Sequence, residues 1–187
     1  MGNFTELDMY LFGQATHYDI YKKMGAHPQT RRKKEGICFT LYAPHAAQVF
    51  VLGEFNNWDE TSHEMERLEP KETGIYELFV PGLGCGSLYK YLIVTPDGRK
   101  LYKADPYANF AEVRPGTASR IVDIDNFKWT DEVWMKKRAA AKTMDEQPMS
   151  IYEVHPGSWM RHPGHQEDNG FYPHKFHMSL RKPSAVM

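Results

Sequence analysis

The sequence is short of three things: net charge, cysteine and long apolar runs. Its formal net charge is −1 over 187 residues. A nucleic-acid partner is therefore not expected, because phosphate binding needs a basic surface. The one basic run, Arg31-Arg32-Lys33-Lys34, reads as a solvated loop ahead of a strand. The two cysteines, Cys38 and Cys85, are too few for a disulfide framework. Reduced thiols and a cytoplasmic location are expected, with Cys38 a small buried residue inside a strand. No run approaches the roughly 18 apolar residues of a membrane span. The start, Met1-Gly2-Asn3-Phe4, lacks the basic-then-apolar order of a signal peptide. No membrane partner is expected.

What is present is a series of short strand-like runs. Residues 4–24 carry near-helical spacings (Leu7, Tyr10, Leu11, then Tyr18, Tyr21, Met24) broken near Gly13. Gly25-Ala26-His27-Pro28 reads as the stop of the second piece, so residues 1–34 are expected to be an N-terminal helical arm. From residue 36 the period changes. Ile37–Tyr42, Gln48–Leu52, Met65–Leu68, Gly74–Val80, Ser87–Val94, Arg99–Lys103 and Ser119–Ile124 are rich in aromatic and branched residues and bounded by turn signals. About seven such strands in roughly 90 residues predict an immunoglobulin-like antiparallel β-sandwich, assigned to 35–128. A linker helix is expected over 129–147, capped by Thr130 and running to about Lys142. Met149–His155 reads as the opening strand of a second domain, 148–172, followed by a divergent tail, 173–187. His162/His165 and His174/His177 are spaced i, i+3, but Pro163 and Pro173 interrupt them, so no metal site is assigned.

The stretch Gly53-Glu54-Phe55-Asn56-Asn57-Trp58-Asp59 draws most attention. It follows a buried-looking strand, and Asn-Asn makes a turn because Asn tolerates left-handed backbone angles and bonds its own main chain. Two roles are open to Trp58. It is a plug folded back under the turn, since large aromatics are mostly buried, or a flat platform for a ligand with an apolar face.

Several segments occur in an order that resembles a known family. They are Gly25–Pro28, Gly53–Asp59, Tyr89-Lys90-Tyr91, Lys103–Ala108, Arg114–Arg120 and Met149–Trp159. Over about residues 10–172 the chain resembles the N-terminal part of bacterial 1,4-α-glucan (glycogen) branching enzymes. Its middle is similar to the family 48 carbohydrate-binding module. Phe-Asn-Asn-Trp alone is shared with isoamylase-type debranching enzymes and the AMP-activated kinase β subunit.

The resemblance implies a role in glycogen biosynthesis, positioning glucan for α-1,4 to α-1,6 transfer. The partners it implies are an α-1,4-glucan or glycogen and a catalytic barrel domain; no cofactor is implied. It further implies Trp58 as the stacking residue and Lys90 as a donor to sugar hydroxyls. Asn57 and Asp59 are added as polar contacts and Tyr102 as a second aromatic, while Lys90 and Tyr102 remain open to purely structural roles. In the family two carboxylates about 5 Å apart perform the chemistry in a barrel of about 250 residues. Only the first barrel strand, Ile151–His155, is expected in this chain. No catalytic residue is assigned, and the chain alone is expected to be non-catalytic. Glu153 and His155 fall on one face of that strand and are read as structural. The alternative reading is a protein-interaction β-sandwich that binds no sugar.

Overall fold

A computed structural model describes residues 4–125, 127–140 and 150–153. The chain forms two compact units, one up to Phe127 and one from Lys128 on.

The first unit holds a short helix, α1 (Glu6–Gly13), a single 3-10 turn (Ile20–Lys22) and eight strands among the described residues. These are β1 (Gly25–Arg31), β2 (Lys34–Tyr42), β3 (Gln48–Gly53), β4 (Glu66–Arg67), β5 (Ile75–Pro81), β6 (Leu88–Val94), β7 (Lys100–Lys103) and β8 (Ser119–Arg120). One sheet runs β1-β2-β5-β4. The other runs β3-β6-β7, with β8 sharing the β7 edge of β6. Every pairing is antiparallel.

Side-chain alternation builds the core between the sheets. Ile37, Phe39 and Leu41 of β2, Val49 and Val51 of β3, Tyr76 and Val80 of β5, and Tyr89 and Tyr91 of β6 form one buried cluster. Each large apolar side chain so buried contributes about 1.5–3 kcal/mol. The tyrosines keep partners for their hydroxyls: Tyr76 donates to Ala46 O at 2.8 Å. Tyr89 and Tyr91 both donate to buried Asp105, at 2.6 and 3.1 Å.

Gly25–Pro28 differs from the expected helix stop, for it opens β1. Gly25 sits at φ +93°, and a Cβ there would lie 3.1 Å from Tyr107 O and 3.3 Å from Asp105 Oδ2. The two segments Gly25–Pro28 and Lys103–Ala108 therefore meet in space. Pro28 is tolerated because β1 is an edge strand, where a missing N–H breaks no central ladder. Arg32 and Lys33, both at positive φ, form the two-residue turn to β2, the geometry that matches strand twist. The arm is accordingly shorter than expected. Its Phe4 and Met24 pack on Ile75, with Met9, Phe12 and Ile20 around them, while Leu7, Tyr10, Tyr18 and Tyr21 are exposed.

Cys38 is buried as expected, and burial, then the Glu77 charge, pushes its thiol up to about 12. Two expected strands are trimmed, to Glu66–Arg67 and Ser119–Arg120. In the second unit the expected helix is α2 (Glu132–Ala140), with Arg138 over the Trp134 ring at 5.4 Å. Ser150–Glu153 carry no strand pairing. The rest of the Met149–His155 run, Trp159 and the four C-terminal histidines lie outside the described residues.

The start of α1 is a capping box. Asp8 N–H donates to Thr5 Oγ1 at 3.2 Å, and Asp8 Oδ2 accepts from Thr5 N at 2.8 Å. Asp8 also meets His17 at 2.9 Å and Lys23 at 3.3 Å. Burial raises its pKa, but the bonds from Thr5, His17 and Lys23 outweigh it and leave the carboxyl well below its usual range. A lowered folded-state pKa stabilises above the unfolded value and is lost as pH falls through the folded one. Asp8→Asn is therefore expected to cost about 1 kcal/mol at pH 7. Urea denaturation should show that deficit shrinking as pH drops below about 4; a constant deficit contradicts the assignment.

Candidate functional site

At the end of β3 the chain must turn sharply. Gly53 has no room for a side chain: a Cβ would lie 2.5 Å from Leu88 O and from the Phe55 ring. A 3-10 turn, Glu54–Asn56, follows. Asn57 and then Trp58 take left-handed backbone angles, φ 53° and 60°. For Asn57 that is ordinary; for a bulky residue it is an outlier costing about 1–2 kcal/mol.

Asn56 holds the turn in place. Its Oδ1 accepts from Gly53 N at 2.9 Å, and its Nδ2 donates to Val51 O at 3.0 Å and faces Ser62 Oγ and His63 Nδ1 at 3.3 and 3.2 Å. Trp58 N–H closes the turn on Gly53 O at 2.9 Å. The two asparagines thus divide the roles that the sequence assigns jointly: Asn57 supplies the left-handed angle, and Asn56 the main-chain bonds.

The result is an exposed indole. Trp58 is 39% accessible and belongs to no buried cluster, so the plug role fails. Beside it Asp59 is also exposed, and its Oδ1 accepts from Thr61 N at 2.9 Å and Thr61 Oγ1 at 2.7 Å. The Thr61 backbone bond, then its hydroxyl, lowers the Asp59 pKa. Asp59 thus braces its own loop.

Lys90 and Tyr102 lie on the outward face of the β3-β6-β7 sheet. The register sets Phe50 opposite Leu92 and Leu92 opposite Tyr102, and sets Leu52 opposite Lys90. Paired residues of antiparallel strands project to one side. Phe50, Leu52 and Leu92 form a buried floor on this side, and Tyr102 is 51% accessible beside it. Lys90 Nζ donates to Thr117 Oγ1 at 2.7 Å, which leaves two of its three N–H groups for other acceptors.

Two acidic residues tie the Trp58 loop to the same sheet. Glu54 Oε2 accepts from Leu88 N at 2.9 Å. Glu60 binds Lys100 Nζ at 2.6 Å and accepts the Tyr102 O–H. Glu60, Thr117 and Asn56 are absent from the sequence-based site. Of these, only Asn56 carried a local signal, as the first half of the Asn-Asn turn. A cavity of about 550 Å³ lies elsewhere in the first unit, lined by Met9, Phe12, His17, Ile20, Tyr42 and Glu72 among others. None of the five expected site residues lines it.

Residues 23–108 match the family model of Carbohydrate-binding module 48 (Isoamylase N-terminal domain). These residues thus carry the sequence pattern of a family 48 carbohydrate-binding module. The match takes in β1, which the expected boundary at residue 34 left out. The chain is 55% identical over 171 residues to the 1,4-alpha-glucan branching enzyme GlgB of Butyrivibrio fibrisolvens, covering 91% of this chain and 26% of that protein. It is 49% identical over 157 residues to the GlgB of Burkholderia thailandensis, covering 84% and 18%. The chain thus resembles the N-terminal part of these branching enzymes and spans about a quarter or less of their length. Among solved structures, a pullulanase from Anoxybacillus sp. LM18-11, solved with maltotetraose, aligns over 59% of this chain and 16% of its own. The TM-score is 0.47 and the identity 24%.

Because Asn56 bonds the end of the strand that enters the turn, Asn56→Ala leaves Gly53 N–H and Val51 O without that partner. The expected cost is about 1–3 kcal/mol in chemical denaturation. A variant as stable as wild type would show that the turn holds itself.

Proposed function

We propose that the module holds an α-1,4-glucan such as glycogen against the outward face of the β3-β6-β7 sheet. The observation that carries this reading is the exposed Trp58 indole on a turn braced by Asn56. A glucose ring has C–H groups on one face and hydroxyls around its rim. An indole lies flat on the first, and nearby polar groups take the second. Trp58 is the platform, Tyr102 the second aromatic, Lys90 the principal donor to hydroxyls, and Asn57 and Asp59 lesser polar contacts.

Stacking of this kind contributes about 0.5–1.5 kcal/mol per ring beyond area burial. Two rings and a few hydrogen bonds give weak binding, about millimolar to tens of micromolar. Repeated sites along a polymer raise the effective affinity through avidity. In a longer protein of the branching-enzyme kind, the module would keep a glucan chain near a catalytic domain that moves α-1,4 segments to α-1,6 positions. The identity to GlgB proteins supports that setting. None of the described residues of this chain is assigned a catalytic role.

A native gel containing glycogen tests the assignment. Wild type is expected to be retarded, and Trp58→Ala to migrate as in a gel without glycogen while keeping the wild-type circular dichroism spectrum. Equal retardation of the two proteins rejects Trp58 as the platform.

A further inference from the structure

The carboxylate of Glu60 spans two elements that the proposed glucan site needs held together. Glu60 lies two residues beyond Trp58. Its Oε2 meets Lys100 Nζ at 2.6 Å, and its Oε1 accepts the Tyr102 O–H. These partners are 40 and 42 residues away in sequence, both on β7. The other acid of the loop, Asp59, turns back on Thr61, so its bonds stay within the loop. At the near end Glu54 binds Leu88 N of β6. The Trp58 turn is thus pinned at both ends to the sheet that carries Tyr102.

We propose that Glu60 is a positioning residue for glucan binding: it clamps the Trp58 loop to β7 so that Trp58 and Tyr102 are presented as a pre-set pair of stacking surfaces. The proposal rests on the reading of this face as the glucan site. An indole on a free loop and a phenol on a strand would each have to be ordered when the sugar arrives, and ordering side chains on binding weakens affinity. The clamp does that ordering beforehand. It also sorts the chemistry of Tyr102. Its O–H is committed as a donor to Glu60, so the ring serves as an apolar surface and the hydroxyl donors come from elsewhere, above all Lys90. The bond from Glu60 raises the Tyr102 pKa and keeps the phenol protonated, as that geometry requires. Lys100, whose ammonium is bound by Glu60, has its own pKa raised by the same bond.

The clamp gives a neutral ligand an electrostatic dependence that stacking alone would not show. Glu60 and Lys100 are exposed enough for salt to screen them. Maltoheptaose is titrated by calorimetry into the wild type, Glu60→Lys, Lys100→Glu and the double charge swap. Each single reversal is expected to weaken binding by about threefold, the range an exposed pair supports, with melting temperatures unchanged. The swap re-forms the ion pair but not the Tyr102 bond, since an ammonium accepts no hydrogen bond, so it is expected to restore part of the lost affinity, and high salt to weaken the wild type but not Glu60→Ala. Wild type and Glu60→Lys binding equally well overturns the clamp and leaves the glucan site standing. A single reversal that lowers melting and affinity together, with no rescue by the swap, also overturns it. A wild type that binds no maltoheptaose overturns the glucan reading itself, and the clamp with it.

Discussion

Asn56 ties the turn after β3 back to the backbone of that strand, and the placement of Trp58 follows from that. One amide reaches Gly53 N and Val51 O, so the last residues of the strand and the first of the turn are locked to each other. With those bonds made, Asn57 and Trp58 can occupy left-handed backbone angles that a bulky residue avoids on its own. The energy for an unfavourable tryptophan conformation is supplied by its neighbours, and the tryptophan is left facing solvent. Strain held in place by a dedicated residue, at a position that buries little, is what a binding surface requires and a core does not.

The rest of the sandwich serves this turn by being stiff on its other side. Alternation in β3 and β6 gives the inward residues Val49, Val51, Tyr89 and Tyr91 to the core. It gives Phe50, Leu52 and Leu92 to an outward floor beside Lys90 and Tyr102. The buried Asp105 gathers Tyr89, Tyr91 and the backbone N–H of Tyr107. Burial raises its pKa against the hydrogen bonds that lower it. It fixes β6 from the inside, while Glu54 and Glu60 fix the loop from the outside.

Much of this was legible in the sequence. The strands showed themselves through short branched and aromatic runs between turn residues, and the Asn-Asn-Trp turn through residues that favour left-handed angles. β1 was missed because Gly25 and Pro28 are usual helix terminators. Their reasons here are tertiary: the close approach of Tyr107 and a position at the edge of a sheet. The trimmed strands at 66–67 and 119–120 reflect pairing that a run of apolar residues cannot reveal. Glu60 and Thr117 were invisible for a simpler cause. Each is an ordinary polar residue whose importance comes from a partner 27 to 42 residues away. Local pattern reaches a turn, but not a bond across the sheet.

The central claim is that the outward sheet face and its braced indole receive the sugar chain. Two-dimensional proton–nitrogen NMR of the labelled protein during a maltoheptaose titration addresses it directly. The account predicts that the Trp58 indole N–H and the backbone amides around Asn57, Lys90 and Tyr102 shift together with one saturating affinity. Shifts confined to the cavity beside Phe12 and Tyr42, or no saturable shift at Trp58, would contradict it.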